Sequence, residues 1–419
     1  MQGCTWIVSQ IGNREYYSVP RAFHQRGRLR LFLTDVWYRW GFKNLPGPLW
    51  PLVGRHHPDL PPEKVVGFNS GTFYRRGLDL LRPRKPGRET YEQYIEIGQW
   101  FARKVNRRLA GERLDPERDL YFTFCTGALE TLQMLRNRGI FTVVDQLDPA
   151  QMDEEMIRQE MVKWPGWQDM SELFPQAYYD RLAQEWHEAS VVLVNSNWSK
   201  SSLIRQDVPE SKIIVVPLAY EPPHEALELQ RRGKARRPPS EPLVVLFLGQ
   251  VILRKGVPYL IEAGRLLKDA NVQILIAGRV GLSAQAVASA PANVHFLGRV
   301  DHEKAQHLWV ESDAFVLPTV SDGFALTQLE AMAHGMPVIT TRNCGDVVSD
   351  GVDGLIVPTC DSGALAAAIA KLVEDRSLLA DMSRAAMRTS RLFSLEYYAD
   401  RVEAEVAARF PAGAARASA

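Results

Sequence analysis

The sequence predicts an α/β protein of two Rossmann-like domains that face each other across a cleft. Its 419 residues exceed what one core usually holds, since single cores stop growing near about 250–300 residues. Short β-branched runs alternate with segments of helical period, which is typical of parallel sheets covered by helices. Between two such halves, residues 221–242 are rich in Pro and charge, and this composition indicates a linker.

The second half has the more regular pattern. Strands are predicted at 243–248, 272–277, 294–297, 314–317, 337–340 and 355–357. Each is apolar almost throughout, as expected for strands that are buried on both faces. Helices are predicted at about 257–269, 303–311, 325–334, 362–374 and 377–389. Together these elements predict a domain at 243–392.

The first half is less regular and predicts a domain at 1–220. Strands are predicted at 5–9, 120–123, 142–145 and 191–195, with helices between them at about 127–138 and 179–188. The residues after Phe410 include few large apolar side chains, so we expect a flexible tail there.

The net charge of +1 conceals a basic segment. Residues 21–113 contain 19 Lys or Arg and 8 Asp or Glu, with dense runs at 26–30 and 82–88. Such a segment either forms a solvated basic face or meets anionic lipid headgroups or a phosphorylated acceptor. Nucleic acid is not among the expected partners.

Cysteine usage and hydropathy indicate a cytoplasmic protein. The four cysteines are far apart and form no C-x-x-C pair, so we expect reduced thiols. No apolar stretch approaches the roughly 18 residues needed to span a bilayer, and the N-terminus lacks a signal-peptide pattern. Contact with the membrane would then be peripheral, at its inner face. We expect no cofactor and no metal, because no cluster has metal-ligand spacing.

Ligands of open α/β sheets bind outside the carboxyl ends of the strands, so binding residues are expected in the loops that follow the strands. The loop after 243–248 contains two adjacent cations, Arg254 and Lys255, before Gly256 and a predicted helix. Two cations beside a helix N-terminus form a favourable site for a diphosphate. Taken alone, however, this pattern is more typical of a surface turn.

The loop after 314–317 carries a stronger pattern. Asp322 and Glu330 are separated by seven residues, and Gly323 permits a close backbone approach. The N–H groups of Phe324 to Leu326 begin a predicted helix and can face an anion. Glu330 can accept hydrogen bonds from ribose hydroxyls, whereas the alternative is a solvated helix carboxylate.

The run from Asp322 to Ile339 resembles the donor-site signature of family 4 of the retaining GT-B glycosyltransferases. Further similarities follow in the same order at 249–256, 277–278, 294–300, 351–358 and 393–394. The resemblance spans roughly 243–400 and thins in the first half to 192–196 and 212–217. It implies a GT-B architecture. In that architecture residues 393–419 comprise a last helix, which begins at about 395 and crosses back to the first domain, followed by the tail.

The resemblance also implies a role for each matching residue. Glu330 would bind the ribose hydroxyls, Lys255 the donor diphosphate, and Asp322 the transferred sugar. The amides of Ala325 and Leu326 would hold the distal phosphate. The other residues implied at the donor are Arg254, Gln250, Gly323 and Phe324, with Arg299 and Val300 along the base.

The sequence departs from the family pattern at three places. Asp322 stands where Glu is more usual, Gln250 stands where an Arg often assists the Lys, and the first-domain strand ends in Asp145-Gln146 where many relatives have His. The expected chemistry is still possible without a metal. Fixed cations and helix-end amides can stabilise the negative charge that develops on a leaving diphosphate.

Acceptor contacts are expected from the first half. Its first predicted strand turns into a helix at Gly12, Asn13 and Arg14, a position that overhangs the cleft. Asp145 is predicted to contact the transferred sugar or the acceptor. Asp148 could imitate a metal pair with it, but its place before a proline fits a turn or a helix cap better.

These features predict a hexosyl-type glycosyltransferase that uses a nucleotide-sugar donor, a UDP- or GDP-sugar, and a glycan, lipid-linked or small-molecule acceptor. Retention of anomeric configuration is implied by the resemblance alone. An epimerase or a phosphorylase on the same fold fits the 322–330 pattern less well. The alternative from another class is a catalytically silent nucleotide-sugar binding protein, which Asp322 and Gln250 favour.

Overall fold

A computed structural model describes residues 3–38, 55–72, 88–169, 174–232 and 237–410. Within these ranges thirteen strands form two parallel sheets, one in each half of the chain. Residues 82–87 of the second basic run and the tail at 411–419 lie outside them.

The first sheet has seven strands in the order β3-β2-β1-β4-β5-β6-β7, and every pairing is parallel. They are β1 Thr5–Gln10, β2 Leu29–Thr34, β3 Val65–Gly67, β4 Asp119–Phe124, β5 Phe141–Gln146, β6 Val191–Val194 and β7 Ile213–Val215. The helices are α1 Ser18–Gln25, α2 Arg88–Ala110, α3 Leu129–Asn137, α4 Gln151–Lys163, α5 Gln176–Glu188 and α6 Asn197–Ile204. The four strands predicted here agree with β1, β4, β5 and β6, whereas β2, β3 and β7 were not predicted.

The second sheet has six parallel strands in the order β10-β9-β8-β11-β12-β13. They are β8 Leu243–Leu248, β9 Val272–Ala277, β10 Val294–Gly298, β11 Ala314–Leu317, β12 Val338–Thr340 and β13 Gly354–Ile356. The helices are α8 Val257–Leu266, α9 Ala284–Ala288, α10 His302–Glu311, α11 Thr327–Ala333, α12 Ser362–Glu374 and α13 Arg376–Ser390. Asp301, Asp361 and Asp375 cap α10, α12 and α13 by accepting a backbone N–H of the first turn.

Two connections join the sheets. The segment predicted to be an irregular linker contains a helix, α7 His224–Arg232, which contacts α11 of the second half. After α13 the chain returns as α14 Leu395–Ala407, which packs on α1 and contributes Leu395 and Tyr398 to the core of the first sheet. The backbone N–H of Tyr220 donates to the carbonyl of Phe393 at 2.7 Å. The outgoing and returning connections therefore lie side by side.

The strand order places the candidate loops. It reverses between β1 and β4 in the first sheet and between β8 and β11 in the second. Open parallel sheets bind ligands at this reversal, outside the carboxyl ends of the strands. The loops after β1, β4, β8 and β11 are therefore the places where a ligand is expected.

Two arginines of the first basic run form ion pairs within the molecule. Arg26 pairs with Asp400 of α14, and Arg30 pairs with Asp119 and, at 3.2 Å, with Glu112. Ion pairs of this kind reduce the charge that the run at 26–30 can offer to a lipid surface. Membrane contact stays a prediction.

Candidate active site

Two loops of the second domain bring opposite charges together at the carboxyl end of its sheet. Leu253–Lys255 forms a 3-10 turn after β8 and ends at Gly256, whose φ is 70°. A Cβ on Gly256 would lie 1.8 Å from the carbonyl oxygen of Pro318, so only glycine lets this turn pack against the loop after β11. Lys255 Nζ then contacts Asp322 Oδ2 directly.

This ion pair is largely shielded from water. The side chains of Lys255 and Asp322 are each 13% exposed. Burial lowers the pKa of Lys255, and the neighbouring Arg254 acts in the same direction. Cys344 and Asp153 oppose that lowering of the pKa. An incoming anion would compete with Asp322 for Lys255.

Arg254 is held from both domains. Its Nη1 donates to the carbonyl oxygen of Ser321 at 3.0 Å and lies 3.3 Å from Oδ2 of Asp153, on α4. Ser321 Oγ donates to Oδ1 of the same carboxylate and accepts from Trp198 Nε1 at 2.9 Å. Asp153 and Trp198 were not predicted, because each lies in an ordinary helix start far from the donor loop in sequence.

The backbone after Asp322 presents N–H groups that are not used within the described residues. The amides of Phe324, Ala325 and Leu326 donate to no acceptor there. Ala325 has a φ of 59°, a left-handed conformation that costs a non-glycine residue roughly 1–2 kcal/mol. The helix predicted at 325–334 begins only at Thr327, so these amides belong to a strained turn. Successive N–H groups in such a turn suit an anion.

The side chain of Phe324 faces inward. It is 2% exposed, and its ring lies 6.4 Å from that of Phe393. The donor contact predicted for Phe324 can therefore come only from its backbone. Its ring instead anchors the turn at the point where the chain returns to the first domain.

Glu330, the predicted ribose contact, lies on α11, and its contact with a ribose stays a prediction. Burial raises the pKa of its carboxyl, and the side chain forms no hydrogen bond or ion pair within the described residues. Glu330 and Tyr16, near the end of β1, both raise the pKa of Tyr220, so the three residues lie close together. A largely buried acceptor without a partner calls for a ligand or water.

The loop after β1 is fixed by its own hydrogen bonds. Gly12 has a φ of 86°, and its N–H donates to Oδ1 of Asp35 at 2.9 Å. Gln10 Nε2 donates to the carbonyls of Gly12 and Arg14 at 3.2 Å and 3.1 Å. Asn13 is exposed. The predicted acceptor residues thus form an ordered loop, and their contact with an acceptor stays a prediction.

Three left-handed residues follow this loop. Glu15, Tyr16 and Tyr17 have φ values of 49°, 52° and 61°. Each costs roughly 1–2 kcal/mol for an L-amino acid, so the surroundings must stabilise the turn. It presents Tyr16 to solvent with 71% of the side chain exposed, while Tyr17 is buried.

Asp145 lies near the end of β5, the position at which the sequence placed it. The residue is 0% exposed, and neither carboxylate oxygen has a hydrogen-bond partner among the described residues. Burial raises its pKa well above the ordinary value, Glu15 adds to that shift, and Arg14 opposes it. Asp145 also raises the pKa of Tyr398 on α14. Its contact with the transferred sugar or the acceptor stays a prediction.

Of the remaining predicted residues, two lie at the surface of the second domain. Gln250 and Arg299 are exposed after β8 and β10, and Val300 is half-buried against the core. Asp148 Oδ1 accepts the N–H of Ala150 at 3.0 Å, so it stabilises a turn as expected.

The two domains touch at Gly323. A Cβ there would lie 2.0 Å from the carbonyl oxygen of Leu147, in the loop after β5. Ser196 Oγ, at the start of α6, donates to the Gly323 carbonyl at 2.6 Å, and Asn195 Nδ2 donates to the Leu147 carbonyl at 2.8 Å. The glycine of the donor loop is therefore required for close contact between the domains.

The described ranges contain no group of three or more His, Cys, Asp or Glu residues arranged to hold a metal ion. In the same ranges, no helix combines the length and the apolar character that crossing a membrane would require.

The second domain is similar to a known family of proteins. Residues 230–389 match the family model of the glycosyl transferases, group 1. The match covers the second sheet with both predicted donor loops. The amylovoran biosynthesis glycosyltransferase AmsK of Erwinia amylovora is 29% identical over 209 residues, which cover 46% of this chain and 49% of that protein. The chain spans about half the length of the curated relatives it matches.

Solved structures extend the similarity to both domains. Sucrose-phosphate synthase of Thermosynechococcus elongatus superposes with a TM-score of 0.65 at 17% identity, covering 97% of this chain and 99% of the other. HepE of Anabaena in complex with UDP gives a TM-score of 0.59 at 16% identity, with 97% and 100% covered. The chain has the GT-B fold. The predicted α/β architecture of two facing domains is confirmed.

Proposed function

We propose that this protein is a glycosyltransferase that moves a sugar from a nucleotide-sugar donor, bound by the second domain, to an acceptor bound at the loop after β1. One observation carries the proposal. Lys255, Asp322 and the amides of 324–326 meet at the carboxyl end of the second sheet, within the segment that matches the group 1 family. Cations and N–H groups at one point suit a diphosphate.

The charges fit the proposed reaction. The bond between the anomeric carbon and the diphosphate oxygen breaks, and the electron pair leaves with the diphosphate. Lys255 and Arg254 would stabilise that negative charge, while Asp322 would exchange its contact with Lys255 for a sugar hydroxyl. The acceptor hydroxyl would bond to the anomeric carbon and pass its proton to the leaving phosphate. Retention of configuration is proposed from the family 4 resemblance.

The comparisons guide the choice of substrates. HepE was solved with UDP, AmsK is named for amylovoran biosynthesis, and a further relative, from Campylobacter jejuni, is named for transfer to a diphospho-undecaprenol. A UDP-sugar and a glycan or lipid-linked glycan are therefore the first substrates to test. We propose that transfer takes place at the cytoplasmic side, with the basic segment as a peripheral membrane contact. None of the comparisons supports the silent binding protein.

The deciding experiment is a panel of UDP-, GDP- and ADP-sugars with the purified chain, with and without glycan acceptors. A ligand that binds only the folded protein raises its melting temperature, so a thermal-shift series with UDP, GDP and ADP identifies the base first. We expect release of the nucleoside diphosphate from one donor, and loss of that release in Asp322→Asn. Saturable donor binding without turnover on any acceptor would favour the silent binding protein instead.

A further inference from the structure

Helix α4 follows a strand of the first sheet but is docked on the second domain. Glu160 Oε2 accepts from Tyr259 Oη of α8 at 2.6 Å. The ring of Trp164 meets that of Tyr259 edge-on at 5.7 Å, and Trp167 packs against the second core. The helix is thus held by apolar and polar contacts to the domain that carries the predicted donor site.

This docking encloses the turn that carries Arg254. Beyond α4, Gln168 Oε1 accepts the N–H of Leu253 at 2.9 Å. At the other end of the helix, Asp153 lies 3.3 Å from Arg254 Nη1 and accepts from Ser321 Oγ. Helix α4 is therefore held on the second domain in a position that places the Asp153 carboxylate beside the Arg254 guanidinium.

The contact is buried enough to matter energetically. The side chain of Asp153 is 15% exposed and that of Arg254 is 21% exposed. Burial raises the pKa of Asp153, whereas Arg254, a hydrogen bond from Ser321 and the more distant Lys255 oppose the rise. Exposed pairs contribute little, but a desolvated pair interacts strongly.

The charges at the site balance. Arg254 and Lys255 face two carboxylates, Asp153 and Asp322. Carboxylate and phosphate oxygens are alternative partners for the same guanidinium donors. A diphosphate adds at least two negative charges, so it binds well only if the two carboxylates move away from Arg254 and Lys255. Asp322 has a proposed role at the sugar, whereas Asp153 has none.

We propose that Asp153 competes with the donor diphosphate for Arg254 and so weakens binding of the nucleoside diphosphate product. The inference rests on the proposed function, because it takes Arg254 as a diphosphate ligand. The Asp153 contact yields when the donor binds and re-forms as the product leaves. Such competition speeds product release, the step that limits turnover in many enzymes.

The test is Asp153→Asn in the full chain. Asparagine keeps the shape and can still hydrogen-bond to Ser321, but it removes the competing charge. The matched control is Glu155→Gln, which removes an exposed carboxylate from the same helix. We expect Asp153→Asn to bind UDP and inorganic pyrophosphate several-fold more tightly in calorimetry and to release UDP more slowly in stopped-flow measurements. Glu155→Gln should match the wild type.

Unchanged binding in Asp153→Asn would overturn the proposal, and weaker binding would show that Asp153 instead orients Arg254. Asp153→Ala provides a second variant if the asparagine form is poorly folded, and the same tightening is expected. Pyrophosphate separates this proposal from the proposed function, since it needs no nucleoside site. Tighter pyrophosphate binding without any sugar transfer would leave the competition standing and refute the transferase. Absence of pyrophosphate binding in wild type and variants alike would refute the competition.

Discussion

Replacing Gly323 by alanine should separate the domains without unfolding either one. The backbone at Gly323 does not have the positive φ that strains an L-residue, so alanine is tolerated locally. Its Cβ, however, would lie 2.0 Å from the carbonyl oxygen of Leu147 and 3.1 Å from Cα of Asp148. Both neighbours are backbone atoms of the first domain, so no side chain can rotate away.

The size of the displacement follows from these distances. Ordinary contact begins at 3.4 Å, so the loops must move apart by about 1.4 Å. The Ser196 hydrogen bond to the Gly323 carbonyl, 2.6 Å long, would then stretch to about 4 Å and break. One net hydrogen bond is worth about 0.5–1.5 kcal/mol, which is too little to unfold a domain. A misplacement of about 1 Å near reacting groups can nevertheless cost roughly 100-fold in rate.

The assay compares kcat/KM for donor turnover, UDP affinity and the radius of gyration from solution scattering in wild type and Gly323→Ala. We expect a loss of about 100-fold in kcat/KM, a wider cleft and a nearly unchanged melting temperature. Gly111→Ala is the matched control, because a Cβ there meets only the Arg108 carbonyl oxygen, at 3.9 Å. Wild-type activity and an unchanged radius in Gly323→Ala would refute the argument that these domains must touch at Gly323.

Three further predictions test the donor site and the first domain. Lys255→Ala should remove roughly 2–4 kcal/mol of transition-state stabilisation and so lower kcat/KM. Unchanged kinetics would show that Lys255 does not bind the diphosphate. Activity should persist in excess EDTA, because side chains and amides meet the diphosphate charge; activity that is lost and then restored by magnesium or manganese would contradict this. Glu185 accepts three backbone N–H groups of the loop after β4, and burial raises its pKa from 4.5 to about 7. It therefore contributes stability below about pH 4.5 that is lost as the pH rises through 7, and denaturation of Glu185→Gln should lack this part of the pH dependence.

The second sheet could be predicted to within one residue at each strand end. Its strands are buried on both faces, so they stand out as continuous apolar runs between turn residues. The first half offered weaker signals. β3 and β7 have three residues each, too few for a periodic pattern. Helix α4 combines charged residues with scattered apolar ones and so lacks a clear helical period. Its apolar side packs against the second domain and not against its sequence neighbours.

The burial of Asp145 shows a different limit. The sequence correctly put it near the end of a strand, where ligands bind, but a strand also has two faces. Phe141 and Val143 lie in the core that includes α14, so Asp145, two residues further on, faces the same side. The face of the first sheet that α14 covers is decided by contacts between residues far apart in the sequence. No local pattern around Asp145 contains that information.

Contacts across the cleft were beyond prediction for the same reason, and they change how the donor site is understood. An aspartate in the first turn of a helix usually serves the helix dipole, which is what the sequence around Asp153 indicates. Only the docking of α4 on the second domain brings this carboxylate to Arg254. Ser321 lies at the centre, joined to Asp153 and to Trp198 of the first domain. Arg254, the proposed diphosphate ligand, is thus also one of the groups that join the domains, so we expect donor entry and the opening of this contact to be linked in free energy.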